Sequence, residues 1–116
     1  PNRYLDFSNH HIISTPLAAG TNGSEFRSRV ENEWVPALLL HKPDFIFISA
    51  GFDAHRDDPL GELSLLEDDY AWATRLIMDM ANDFSKGRLV STLEGGYDLD
   101  ALASCVETHV EVLLGR

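Results

Sequence analysis

Two clusters of residues have the types and spacing needed for chemistry. In the first, five ionisable side chains, Asp53, His55, Arg56, Asp57 and Asp58, fall within six residues just after Ser49-Ala50-Gly51. A carboxylate such as Asp53, two residues past a small-residue turn, serves as a metal ligand, as a cap for loop amides or as a partner for Arg56. His55 is either a ligand or, since alternation points it away from Asp53, a surface or supporting residue. Asp57-Asp58-Pro59 reads as a turn starter whose carboxylates hold loop backbone and salt bridges. The second cluster is Glu94-Gly95-Gly96-Tyr97-Asp98, where paired glycines free the backbone and leave Tyr97 projecting from a sharp turn. Its phenol there is either a hydrogen-bond donor or a packing residue.

Both clusters need strands to place them. Phe45-Ile46-Phe47-Ile48 is a continuous apolar run, the pattern of a parallel strand covered on both faces. Arg88 to Leu93 is the next strand, with Val90 and Leu93 as its firmest apolar members. Ligands of open α/β sheets bind outside the carboxyl ends of the strands, so the two loops share one rim. His11 to Thr15 is a further β-prone run, stopped by Pro16, and a glycine-punctuated loop from Ala18 to Gly23 follows.

The helices follow from period and capping. Ser24 is placed to cap a helix whose stripe runs Phe26, Val30, Trp34, Ala37 or Leu38, and His41, with a kink at Pro36. Ser64-Leu65-Leu66-Glu67 matches a capping box ahead of the stripe Tyr70, Thr74, Ile77, Ala81 and Phe84, and Gly87 ends that helix. Asp98 caps a last helix carrying Leu99, Leu102, Val106, Val110 and Leu113, with Gly115 as its stop.

Composition narrows the class. The chain has 116 residues, 44% of them hydrophobic, enough for one soluble domain with its own core. A formal net charge of −10 argues against binding phosphate backbones, so no nucleic-acid partner is expected. No apolar run spans a bilayer and the first residues lack a signal-peptide layout, which makes a cytoplasmic protein with no membrane partner the expectation. Cys105, the single cysteine, sits in a helical pattern and is expected to be a reduced, packed thiol.

In order and spacing, Ser49-Ala50-Gly51-Phe52-Asp53-Ala54-His55, Asp58-Pro59-Leu60-Gly61 and Leu93-Glu94-Gly95-Gly96-Tyr97-Asp98-Leu99 resemble the histone deacetylase family. The closest likeness is to its class II-like and bacterial members, among them acetylpolyamine amidohydrolases and acetoin-utilisation proteins, and it covers about residues 12 to 115. The resemblance implies a zinc-dependent amidohydrolase that removes acetyl groups from acetyl-lysine or acetylated amines such as polyamines. It implies that Asp53 is a zinc ligand and that the Tyr97 hydroxyl polarises the acetyl carbonyl. It further implies that Gly95 and Gly96 border the acyl-lysine tunnel, and that Pro59 and Leu60 form its rim.

The chain departs from the family in what comes before Asp53. The family's other two zinc ligands belong to an Asp-x-His motif on an earlier strand, and its general base to a His-His pair earlier still. Neither motif precedes Asp53 in its family setting, and His10-His11 lacks the glycine-rich context of that pair. The expected fold is α/β, a partial three-layer parallel sheet of the arginase/deacetylase type, with about three strands and three helices. Residues 1–116 then form the C-terminal portion of a single catalytic domain. A second reading is a non-catalytic piece that self-associates, or joins the N-terminal portion, through an exposed sheet edge.

Overall fold

The computed structural model describes residues 12–116. The apolar run forms strand β1, Ile46–Gly51, and the second apolar stretch forms β2, Leu89–Gly95. They pair in parallel, Ile46 opposite Leu89 and Ala50 opposite Leu93, and a register slip between Ala50 and Gly51 sets Gly51 opposite Gly95. Glu94 is thereby the extra residue of a bulge at the strand ends, a device that redirects the chain where a ladder stops.

The described sheet has two strands rather than three. Residues 12–15 of the segment expected as a strand are irregular, and His11 lies outside the described residues, as does His10. A strand needs a partner for its amides and carbonyls, and no described segment pairs with residues 12–15. Ile12 and Ile13 are half exposed. Isolated bridges instead link Asn22 to Ser64 and His55 to Leu65.

The expected helix around Phe26 and Trp34 forms in three pieces: α1 (Gly23–Arg29), a π-helical turn (Val30–Trp34) and α2 (Val35–His41). Its cap is Asn22, whose side chain accepts from the Glu25 amide, and not Ser24. Pro36 has no N–H to donate, and the chain widens into the π turn just before it. Helix α3 runs Glu67–Phe84 and starts two residues later than a Ser64 cap requires. Glu67 is turned toward His55, and the Asp69 carboxylate accepts the Leu66 amide in its place. Asp69 also pairs with Arg27 at 2.9 Å, docking α1 against the start of α3. Helix α4 spans Leu99–Leu113, with the Asp98 side chain accepting from Ala101 as expected and Gly115 left-handed beyond its end. Among the described residues no helix is long and apolar enough to cross a membrane.

The core gathers where β1 meets α3 and α4. Ala50, Phe52 and Cys105 are buried together, with Ile48, Tyr70, Leu102 and Val106 against them. A polar thread crosses this layer. His109 of α4 bonds Thr74 of α3 and Ser91 of β2, both at 2.8 Å. Because the Thr74 hydroxyl donates to the Tyr70 carbonyl, it accepts from Nδ1–H of His109, so Nε2 accepts from Ser91. Burial lowers the His109 pKa and keeps the ring neutral.

Among the described residues only one face of the sheet is covered, where the expectation was a β1 buried on both. Phe47 is 75% exposed and stacks on Phe45 at 4.7 Å between ring centroids, while Val90, its partner in β2, is also open. Denaturant unfolding distinguishes the faces. Phe52→Ala, at 3% exposure, should cost about 3–5 kcal/mol, whereas Phe47→Ser should change stability by no more than about 0.5 kcal/mol.

Candidate functional site

The bulge brings the ends of β1 and β2 together, and the two loops leave from there. The Phe52 amide donates to the Gly95 carbonyl at 2.8 Å, which fixes the first loop against the last residue of β2. Asp53 comes next, and its carboxylate lies between two glycines. A Cβ built on Gly51 would approach Asp53 Oδ1 to 3.1 Å, and one on Gly95 would approach Oδ2 to 3.2 Å. Glycine on both flanks gives the carboxylate room. It makes no hydrogen bond to any described residue. A carboxylate oxygen is a donor that a hard or borderline cation takes, so Asp53, unpaired among the described residues, fits that role by chemistry. Asp53 does not belong to any group of three donors among the described residues.

Asp58 ties the two loops together. Its Oδ1 accepts from the amides of Leu60 and Gly61, both at 2.8 Å, and its Oδ2 accepts from the amide of Tyr97 at 2.8 Å. The side chain is buried, and no basic group pairs with it among the described residues. Burial by itself raises such a carboxyl's pKa. The amides of Gly61, Tyr97, Leu60 and Asp98 outweigh it and hold the group below the usual carboxylate range. The turn closes tightly enough that Gly61 has no room for a side chain, since a Cβ there would lie 1.6 Å from the Asp53 carbonyl oxygen.

The remaining ionisable groups of the first loop face inward or to solvent. His55 is 3% exposed and not a surface residue. Its Nδ1 accepts from the Asp57 amide, so Nε2 carries the proton and donates to Glu67 at 3.1 Å. His55, Glu67 and Cys105 place donor atoms within 4.8 Å of one another. The imidazole is already committed to two hydrogen bonds, and burial pushes the Cys105 thiol up to about 12, far from the thiolate a metal needs. The group reads as packing and hydrogen bonding, in line with a reduced, packed thiol. Asp57 stays exposed beside Arg56 at 3.7 Å. The Tyr70 hydroxyl is buried without a partner among the described residues, and burial, the nearby Cys105 and the carboxylates of Asp53 and Asp58 raise its pKa.

The residues singled out in the sequence thus sort by position. Asp53, Gly95, Gly96 and Tyr97 meet at the strand ends, with Pro59 and Leu60 on the adjoining turn. Tyr97 is 53% exposed and Leu60 69%. Gly96 has φ +132°, and a Cβ built there would meet Leu102 at 2.8 Å and Phe52 at 3.3 Å, so the turn that presents Tyr97 also lies close on α4. His55, only two residues from Asp53, is directed to α3 instead. Asp58 holds loop backbone, as its place in a turn predicts, and it also accepts from the Tyr97 amide. No sequence pattern marks a contact between residues 39 apart.

A family model described as "Histone deacetylase domain" matches residues 4–113. The chain is 39% identical over 107 residues to "Type-2 histone deacetylase 2" of Dictyostelium discoideum, covering 90% of this chain and 6% of that protein. It is 38% identical to "Histone deacetylase 14, chloroplastic" of Arabidopsis thaliana, covering 90% of this chain and 25% of the relative. Among solved structures, the HDA15 HD domain superposes with a TM-score of 0.75 at 33% identity, over 84% of this chain and 27% of that one. The histone deacetylase Clr3 superposes with a TM-score of 0.76 at 28% identity, over 84% and 16% respectively. The sheet and helices described above are therefore part of an arginase/deacetylase fold, and the chain spans 6% of the Dictyostelium relative and 25% of the Arabidopsis one.

The crowding at Gly61 gives a direct test of the turn. Gly61→Ala should force the Asp53 backbone away and destabilise the chain by roughly 1–3 kcal/mol. Amide exchange at Leu60 should accelerate at the same time, because the turn can no longer close on Asp58.

Proposed function

The chain belongs to the histone deacetylase family, and on that premise we propose that it forms the C-terminal portion of a zinc-dependent deacetylase domain acting on acetyl-lysine or acetylated amines. The observation that carries this reading is the junction at the strand ends. An Asp53 carboxylate without a hydrogen-bond partner among the described residues and a half-exposed Tyr97 leave the same bulge, on loops joined by Asp58.

Each residue has a separate task. Asp53 is one ligand of the zinc. The other two ligands and the general base come from the Asp-x-His and His-His motifs that the family carries upstream. Zinc, when bound, supplies Lewis-acid polarisation of the acyl oxygen and lowers the pKa of coordinated water. The Tyr97 hydroxyl donates to the carbonyl oxygen as negative charge develops on it, a stabilisation that is strong because the donor is fixed before reaction. Gly95 and Gly96 have no side chain to obstruct the acyl group beside Asp53 and Tyr97. Pro59 and Leu60, exposed on the adjoining turn, line the mouth through which the amine side chain enters.

The alternative is a non-catalytic piece that associates with another chain, and the open sheet face at Phe47, Phe45 and Val90 favours it. The two readings also combine. The same face is where the rest of the domain would dock, and the 116-residue chain alone should neither hold catalytic zinc nor hydrolyse acetyl-lysine.

Two substitutions in the full-length protein test the assignment. Asp53→Ala should remove bound zinc and activity together. Tyr97→Phe should leave zinc content and folding unchanged and slow turnover by about 10² to 10³-fold. If Tyr97 only packs, the ring alone suffices and turnover stays within a few fold. Full zinc and normal turnover in the Asp53 variant would remove the metal-ligand role.

A further inference from the structure

We propose that Asp58 is a positioning residue for the reaction, setting where the Tyr97 hydroxyl stands relative to the substrate rim at Pro59 and Leu60. This rests on the deacetylase reading of Tyr97. An ordinary aspartate turn explains half of what Asp58 does. Its Oδ1 accepts from the amides two and three residues ahead, Leu60 and Gly61, as aspartates in turns commonly do. The bond from Oδ2 to the Tyr97 amide has no such local purpose, because it joins the turn after β1 to the turn after β2.

The form of the contact suits positioning. Tyr97 is held by its backbone, so its Cα is fixed while the ring remains free to point outward, half exposed. The same carboxylate fixes Leu60, so the rim and the tyrosine are referred to one group and cannot drift independently. An ionised carboxylate makes stronger bonds to amides than a neutral acceptor. Here it is buried with no cation beside it among the described residues, and bonds to backbone N–H groups compensate its desolvation. Gly96, left-handed and against Leu102, fixes the other side of the Tyr97 backbone on α4. A phenol displaced by about 1 Å loses much of its value as a donor, since errors of that size cost about 10²-fold in rate.

Asp58→Asn in the full-length protein separates this role from simple turn stability. Asparagine retains one acceptor oxygen. Directed at Leu60 and Gly61 it keeps two bonds and presents an NH₂ group to the Tyr97 N–H, donor against donor. The flipped amide would save one bond and lose two, so the first orientation prevails. The expected result is a fall in kcat on the order of 10²-fold, with KM within a few fold and zinc content unchanged. Amide exchange should accelerate at Tyr97 while Leu60 and Gly61 stay protected. Faster exchange at Tyr97 with kcat unchanged would overturn the proposal, as would slow exchange at Tyr97 or equal loss of protection at all three amides. The exchange readout does not depend on activity. Lack of deacetylase activity in the wild-type protein, together with the selective exchange change at Tyr97 in the Asp58→Asn variant, would remove the deacetylase reading and the catalytic purpose, leaving a mechanical link between the loops.

Discussion

A buried carboxylate whose partners among the described residues are all backbone amides is the constraint on which the site depends. Asp58 lies in one loop and accepts from the other. Neither loop is held by regular secondary structure at that point, since β1 ends at Gly51 and β2 at Gly95. Without Asp58, what holds the two turns in register is the Phe52 amide on the Gly95 carbonyl and the closeness of Gly96 to Phe52. The glycines at 51, 61 and 95 are needed for the same reason. Each leaves space that the Asp53 carboxylate or carbonyl already occupies, so the loop that carries Asp53 is built around its absent neighbours.

Behind the loops, a second polar arrangement links the layers. His109 bridges α3, β2 and α4 as a neutral ring, its two nitrogens assigned opposite roles by the Thr74 and Ser91 hydroxyls. Phe52 meets that ring at 5.7 Å and Tyr70 at 5.1 Å, so the residue before Asp53 is packed against the same layer. The covered face of the sheet is thus ordered by packing and hydrogen bonds together. The opposite face, carrying Phe45, Phe47 and Val90, is open to solvent among the described residues apart from the stacking of Phe45 on Phe47.

Much of this was legible in the residues, where the signal is local. The apolar run at Phe45–Ile48 located β1, Asp98 located the start of α4, and the paired glycines located the exposed tyrosine. The motif order identified the family. Other features depend on competition between groups far apart in sequence. Ser64 and Glu67 have the spacing of a capping box, yet Glu67 bonds a buried histidine and Asp69 takes over the cap because Arg27 stands beside it. The run at β1 has no alternation, so nothing in it foretold that Phe47 would be open and Ile48 covered. The π turn before Pro36 has no signature of its own. Asp58 was readable as a turn residue and unreadable as a link, since its second oxygen meets an amide that only the parallel pairing of β1 and β2 brings near.

The most direct measurement is an acid titration of the amide nitrogen shifts of Leu60, Gly61 and Tyr97, followed in one sample of the folded protein. The Asp58 carboxyl is held low by the amides it accepts from, so its contribution is complete above the ordinary aspartate pKa of about 3.9 and is lost as pH falls through a lower folded value. All three amides should therefore shift together with one midpoint below about 3.9. A Tyr97 amide that does not respond, or that follows a midpoint different from Leu60 and Gly61, would show that the two loops are not held by one carboxylate.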